Sequence, residues 1–152
     1  MVIQKNTKTA VENKNMKIVI CGSMSASKQM IEMVEFLTGK GHEVVAPKNM
    51  DKYISGELSA EDSCESTKEK MEFDLIRKYY LSIMEANAVI IANYDKGNIK
   101  NYIGGNSFLE AGFAHALNKK LYFLNDIPDV AYSDELRALQ PIILDGDLSK
   151  IK

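Results

Sequence analysis

KIVICGSMSASKQMIEMVEFL, residues Lys17 to Leu37, carries the reading of the fold. Lys17 to Cys21 is a short β-branched run without polar alternation, the pattern of a strand buried on both faces. Gly22 and Ser23 close it. From Ser27 the period changes: Met30, Ile31, Met33, Val34 and Leu37 recur at three- and four-residue spacing, one face of an amphipathic helix. Gly39 and Gly41 stop that helix. A second strand follows in HEVVAP (His42 to Pro47), ended by its proline.

The same alternation repeats further along the chain. Residues 48–66 are polar and irregular and read as a surface excursion or flap. A long helix then runs to about Ala86, with Met71, Leu75, Ile76, Tyr79, Ile83 and Met84 on its inner side. Ala88 to Ala92 is a third strand, and the loop Tyr94 to Asn106 leads into a helix from Ser107 to Asn118. The small residues Ala111, Gly112, Ala114 and Ala116 suit close packing of that helix on a sheet. Leu121 to Leu124 is a fourth strand, Ser133 to Leu139 a short helix, and Pro141 to Leu144 a fifth strand. Apolar strands separated by helices require a parallel sheet covered on both faces. With right-handed crossovers this predicts an α/β fold: a doubly wound, flavodoxin- or Rossmann-like parallel sheet of about five strands. Residues 1–15, polar and without period, read as a disordered N-terminal tail before a single domain at 16–152.

Composition narrows the function classes. Apolar residues make up 45% of the 152 and charged residues 26%, the proportions of a globular protein. Nineteen basic against 21 acidic residues leave a net charge of −2, which argues against a nucleic-acid partner. No apolar stretch approaches the ~20 residues of a membrane span, and no secretory h-region opens the chain, so a cytoplasmic protein with no membrane partner is expected. Two cysteines, Cys21 and Cys64, make no disulfide framework, and no Cys/His cluster has metal spacing.

Ligands in doubly wound sheets bind beyond the carboxyl ends of the strands, at the switch point. That rule selects the loops Gly22 to Ser27 and Tyr94 to Asn106. The first lacks both the dinucleotide and the P-loop glycine spacing. Its serines, Ser23, Ser25 and Ser27, suit either phosphate binding or helix capping. In the second, Gly104, Gly105 and Asn106 precede a helix. Either the glycines let backbone approach a phosphate or sugar closely, or they serve a turn that needs positive φ. Glu110 has two readings as well. Ser107-Phe108-Leu109-Glu110 fits a capping box, and a carboxylate near a helix N-terminus is also an ionised nucleophile aimed at a cleft. Asp95 sits where a carboxylate reaches substrate or organises the Asp-Lys-Gly turn. His42 and His115 read as solvated or packed side chains, and Cys21 as a buried, inert one.

These residues together resemble the nucleoside 2-deoxyribosyltransferase superfamily, including its relatives that hydrolyse nucleotide N-glycosidic bonds. KIVICGSM is similar to the family's first strand and Cys-Gly-Ser turn. Ala86-Asn87-Ala88-Val89-Ile90-Ile91 is similar to its lead-in to strand three. Glu110-Ala111-Gly112-Phe113-Ala114-His115-Ala116, followed by Lys120-Leu121, resembles its E-x-G-x-A-x-A…K-x-[IL] block. The likeness spans roughly residues 16–125. It implies that Glu110 attacks C1′ of a (deoxy)ribose in a nucleoside or nucleoside 5′-monophosphate and releases the base. Water then completes hydrolysis, or a second base completes transfer. It further implies a small-molecule substrate held between Gly22-Ser23-Met24 and Gly104-Gly105-Asn106, no metal or other cofactor, and a homodimer or larger assembly.

Two positions depart from the family. Tyr79 stands where an aspartate serves the base or sugar, and Tyr79 carries no charge at neutral pH. Asp74 lies five residues earlier, about 140° round the helix. Gly104 occupies the place of a second aspartate, for which Asp95 is a candidate substitute. An altered substrate, or a non-catalytic nucleotide-binding or sensing module on the same fold, is the alternative these departures raise. GGNSFLE also resembles, one residue short, the signature of phosphoribohydrolases that release cytokinin bases, which share the reaction class.

Overall fold

The computed structural model describes residues 15–58, 71 and 74–152. Five strands, β1 (Lys17–Cys21), β2 (Glu43–Val45), β3 (Ala88–Ile91), β4 (Lys120–Phe123) and β5 (Ile142–Ile143), form one sheet in the order β2-β1-β3-β4-β5. Every pairing is parallel, with Ile18 opposite Val44 on one side and Ala88 on the other. The helices are α1 (Ser27–Gly39), α2 (Met50–Ile54), α3 (Leu75–Glu85), α4 (Gly105–Ala116) and α5 (Ser133–Ala138). This is the doubly wound fold with flavodoxin-like strand order, and its switch point lies between β1 and β3.

Strand residues alternate between two apolar layers. Ile18, Ile20, Ala88, Ile90, Tyr122 and Leu124 meet Met30, Met33 and Leu37 of α1 and Met50 of α2. Val19, Cys21, Val89, Ile91, Leu121 and Phe123 meet Ile83 of α3, Ala111 and Ala114 of α4 and Leu136 of α5. Gly41 ends α1 at φ +91°, a left-handed position that glycine occupies without strain. Met16 is buried, and its N–H donates to His42 Nδ1 at 3.1 Å.

Several sequence expectations need correction. The excursion at 48–66 contains α2, whose first residue, Met50, is buried in the α1 layer; one buried side chain in a five-residue helix leaves no readable period. Residues 59–66 and 1–14 lie outside the described residues, Cys64 among them. α3 begins at Leu75, because Asp74 takes a left-handed φ of 46° that interrupts any helix. Of the side chains expected on its inner side, Ile83 is fully buried, whereas Met71, Ile76 and Met84 are exposed. Tyr80 takes an inner place, edge-on to Phe113 of α4 at 5.4 Å. Of the four small residues of α4 expected to pack on the sheet, only Ala111 and Ala114 are buried; Ala116 is exposed, and a side chain at Gly112 would meet nothing within 4 Å.

Among the described residues no helix is long and apolar enough to cross a membrane.

Beyond the strand ends, Asn93 ties the loops after β3 and β4 together. Its buried amide donates to the carbonyls of Asn125 and Asp126 at 2.9 and 3.0 Å, and its Oδ1 accepts from the Asn125 N–H at 2.8 Å. The Asn125 amide donates back to the Asn93 carbonyl at 3.1 Å. Asn93→Ala leaves several of these buried groups unpaired, so urea unfolding should show a loss of about 2–4 kcal/mol.

Candidate functional site

α4 starts two residues earlier than the sequence suggests, and this changes the place of Glu110. Gly104 is the N-cap residue, with no side-chain cap, and the Phe108 N–H closes the first turn onto the Gly104 carbonyl at 2.9 Å. Ser107 is therefore inside the helix and buried, and Glu110 falls in the second turn. The expected capping box does not form. The expected positive-φ turn is absent too, because Gly104 is extended and Gly105 is not among the left-handed residues. Gly104 is small for a different reason: a Cβ there would lie 2.9 Å from the Tyr102 hydroxyl. Tyr102 packs over it, while Gly105 faces open space. The close approach that the glycine pair permits is thus made, at Gly104, by the chain's own tyrosine.

Glu110 is only 7% exposed. It lies beside Cys21, the last residue of β1. Burial, and then the charge and hydrogen bond of Glu110, push the Cys21 thiol well above its usual range. Glu110 lines a narrow groove between α3 and α4 whose free space, about 10 Å³, holds about one water. Leu75, Ile76 and Tyr79 form one wall, and Asn106, Leu109 and Phe113 form the other with Glu110. The structure therefore brings together three residues singled out from sequence: Glu110, Tyr79 and Asn106. Glu110 is the one carboxylate among these lining residues. Asp74 stays out of the groove and pairs with Arg77 at 2.6 Å.

The other candidates are placed differently. Gly22 is squeezed between layers, where a Cβ would lie 2.9 Å from the Met30 sulfur and 3.2 Å from Ala92. Ser23 caps the short 3-10 turn Met24–Ala26 and shares a 2.9 Å bond with the Ser25 hydroxyl. Ser27 is fully buried and donates to the Met24 carbonyl. Met24 packs against the α1 layer, on the far side of the sheet from Glu110. Capping and packing thus account for this loop, and Cys21 is its link to Glu110.

Asp95 accepts from the Asn101 N–H at 2.9 Å and organises its own loop. It lines a separate polar crevice with Gln29, Tyr94, Lys100, Asn101 and Asn125, sharing no residue with the Glu110 groove. His42 and His115 are packed through Nδ1, onto the Met16 N–H and the Leu139 carbonyl. Among the described residues no group of three His, Cys, Asp or Glu is placed to hold a metal ion.

Sequence reasoning missed Leu75, Leu109 and Phe113 as groove walls, and missed Cys21 as the partner of Glu110. Only the β1–α4 packing reveals that last pair.

No protein-family model, curated protein or solved structure matches the chain.

Two measurements check this geometry. Gly22→Ala crowds Met30 and the Ala92 backbone and should cost about 1–3 kcal/mol in denaturant unfolding. The second concerns pH. A folded-state thiol pKa above the unfolded one stabilises the protein fully below the unfolded value of about 8.5. That stabilisation is lost as pH rises from there toward the folded-state value. Between pH 7 and 10 the wild-type stability should therefore fall more steeply than that of Cys21→Val.

Proposed function

We propose that the protein cleaves, or transfers at, the N-glycosidic bond of a (deoxy)nucleoside or nucleoside 5′-monophosphate, with Glu110 as nucleophile. The observation that carries this reading is a buried carboxylate on the floor of a groove beside the carboxyl edge of the sheet, where ligands of this fold bind. The resemblance around residues 110–116 supplies the reaction class.

The step balances as follows. A Glu110 oxygen, within about 3–3.5 Å of C1′ in the bound state, forms a C–O bond as the C1′–N bond breaks. The bonding pair leaves with the base nitrogen, which then needs a proton. Tyr79 lines the same groove and carries a phenolic proton at neutral pH, so it is the donor. It cannot supply the negative charge of the family's aspartate, but it can supply this proton. Water, or a second base, then attacks C1′ of the glycosyl ester, returning its proton to the Tyr79 phenolate as the C1′–O bond to Glu110 breaks and frees the carboxylate. Apolar walls from Leu75, Ile76 and Phe113 suit the flat face of a base. The exposed apolar side chains Ile76, Leu81, Met84 and Leu109 support assembly as a homodimer or larger oligomer.

A second reading is favoured by one observation: among the described residues no second carboxylate lines the groove. A nucleotide-binding or sensing module would keep the groove without turnover.

Incubation with a panel of nucleosides and 5′-monophosphates, with and without an acceptor base, separates the two. Free base should appear by chromatography, and Glu110→Gln should reduce its release by at least about 10³-fold. Calorimetric binding with no base released from any member selects the sensing module instead. Tyr79→Phe should slow release of poorly leaving bases by about 10²-fold, and release of an activated phenol leaving group far less.

A further inference from the structure

The fold has a second opening that the chemistry at Glu110 leaves unused. The switch point lies between β1 and β3, where α1 leaves for one face of the sheet and the loop after β3 leads to the other. In doubly wound sheets that divergence is where ligands bind. Here it holds a crevice of about 420 Å³, a volume typical of small-molecule sites, whereas the Glu110 groove has room for about one water. The walls come from segments that follow three adjacent strands. Gln29 belongs to α1 after β1; Tyr94, Asp95, Lys100 and Asn101 follow β3; Asn125 follows β4.

The fold itself uses little of this polar lining. Asp95 spends one oxygen on the Asn101 N–H at 2.9 Å, and Asn125 gives its amide to the Asn93 carbonyl at 3.1 Å. Among the described residues, no hydrogen bond or ion pair engages the side chains of Gln29, Lys100 or Asn101, nor Oδ1 of Asn125. None of these atoms is buried without a partner, so solvent reaches them. The loop that carries most of them is braced in advance. The Tyr102 N–H donates to the Tyr94 carbonyl at 3.0 Å, and the bond from Asp95 holds Asn101 at a left-handed φ of 56°. A ligand therefore meets groups already ordered, which lowers the entropic cost of binding it.

We infer that this crevice binds a neutral polyhydroxylated ring, a free sugar of pentose or hexose size. A sugar hydroxyl donates and accepts at once, and the lining offers both roles. Asp95 and Oδ1 of Asn125 accept, the Lys100 ammonium donates, and the amides of Gln29 and Asn101 do both. Burial, and then the charge of Glu32, raise the Tyr94 phenol above its usual range, so it keeps its proton to donate. Asp95 and Lys100 bring one charge of each sign, which suits a ligand without net charge. A phosphate has acceptors in excess and would bring its charge beside the Asp95 carboxylate. A flat base needs apolar walls, and Tyr94 is the one aromatic residue among these six. An amino acid would match the two charges and leave the three amides unmatched.

The side-chain amide resonances of Gln29, Asn101 and Asn125 report the crevice directly in nitrogen–proton correlation spectra of the whole chain. D-ribose or D-glucose, titrated to about 100 mM, should shift them saturably, and inorganic phosphate or glycine should not. Gln29→Ala and Lys100→Ala remove side chains that hold nothing in the fold, so each should keep the native spectrum and bind sugar about 5- to 10-fold more weakly. Asp95→Asn keeps an acceptor for the Asn101 N–H but loses the charge, and should weaken binding by about 10-fold. No saturable shift with either sugar, or shifts confined to residues outside the crevice, overturns the site. Saturable shifts with phosphate or glycine in place of sugar overturn the ligand class. Undiminished sugar binding in all three variants overturns the assignment of these walls. Base release plays no part in the readout, so the result stands apart from the role of Glu110.

Discussion

The parallel pairing of β1 with β3 governs the rest of this structure. Parallel neighbours cannot be joined by a tight turn, so each connection must cross over the sheet, and the crossover must cover it. Here the crossovers divide between two layers, α1 and α2 on one and α3, α4 and α5 on the other. Because β1 and β3 are neighbours but their following helices lie on opposite faces, the chain diverges at their carboxyl ends. The Gly22 turn and the long loop after Ala92 leave from that divergence, and Glu110 is presented beside it. A chain with the same strands in another order would put the carboxylate elsewhere.

Burying a carboxylate is costly unless it is hydrogen-bonded. Glu110 is buried beside the Cys21 thiol at the end of β1. A structural carboxylate in a helix of this kind is more simply satisfied by backbone N–H groups at the cap, and the sequence S-x-x-E offers that arrangement. The fold declines it by starting α4 at Gly105. Glu110 is moved into the second turn, away from the free N–H groups and toward the strand end. That displacement turns a capping residue into a candidate reactive one.

The carboxyl edge carries two openings of different character. Among the described residues, the groove between α3 and α4 is walled by leucine, isoleucine and aromatic rings around Glu110. The crevice on the other side holds Asp95, Lys100 and three amides. The loop between them is braced internally by the Asp95–Asn101 bond and by Lys96, whose ammonium lies 5.2 Å from the centre of the Tyr102 ring. Tyr102 in turn covers Gly104. The loop that sequence assigns to ligand binding is thus largely occupied with fixing the start of α4, and through it the position of Glu110.

Much of the fold was legible because it is written in local periods. The apolar runs at Lys17–Cys21, Ala88–Ile91 and Lys120–Phe123 can only be buried strands, and the spacing of Met30, Met33 and Leu37 can only be one helical face. Gly41 marks the end of α1 by a backbone requirement that glycine alone meets easily. What local pattern could not decide was everything set by a neighbour distant in sequence. Ile76, Tyr79, Tyr80, Ile83 and Met84 offer α3 more than one apolar face, and packing against α4 selects the one bearing Tyr80 and Ile83. Two poor helix formers, Gly105 and Asn106, enter α4, whose first turn closes by the Phe108 N–H onto the Gly104 carbonyl beneath Tyr102. The meeting of Cys21 with Glu110 has no local signal at all, since it exists only once β1 and α4 share a layer. Sequence alone determined the strands, α1 and the candidate carboxylate; tertiary packing decided where that carboxylate sits and what surrounds it, because those depend on contacts between segments that no period records.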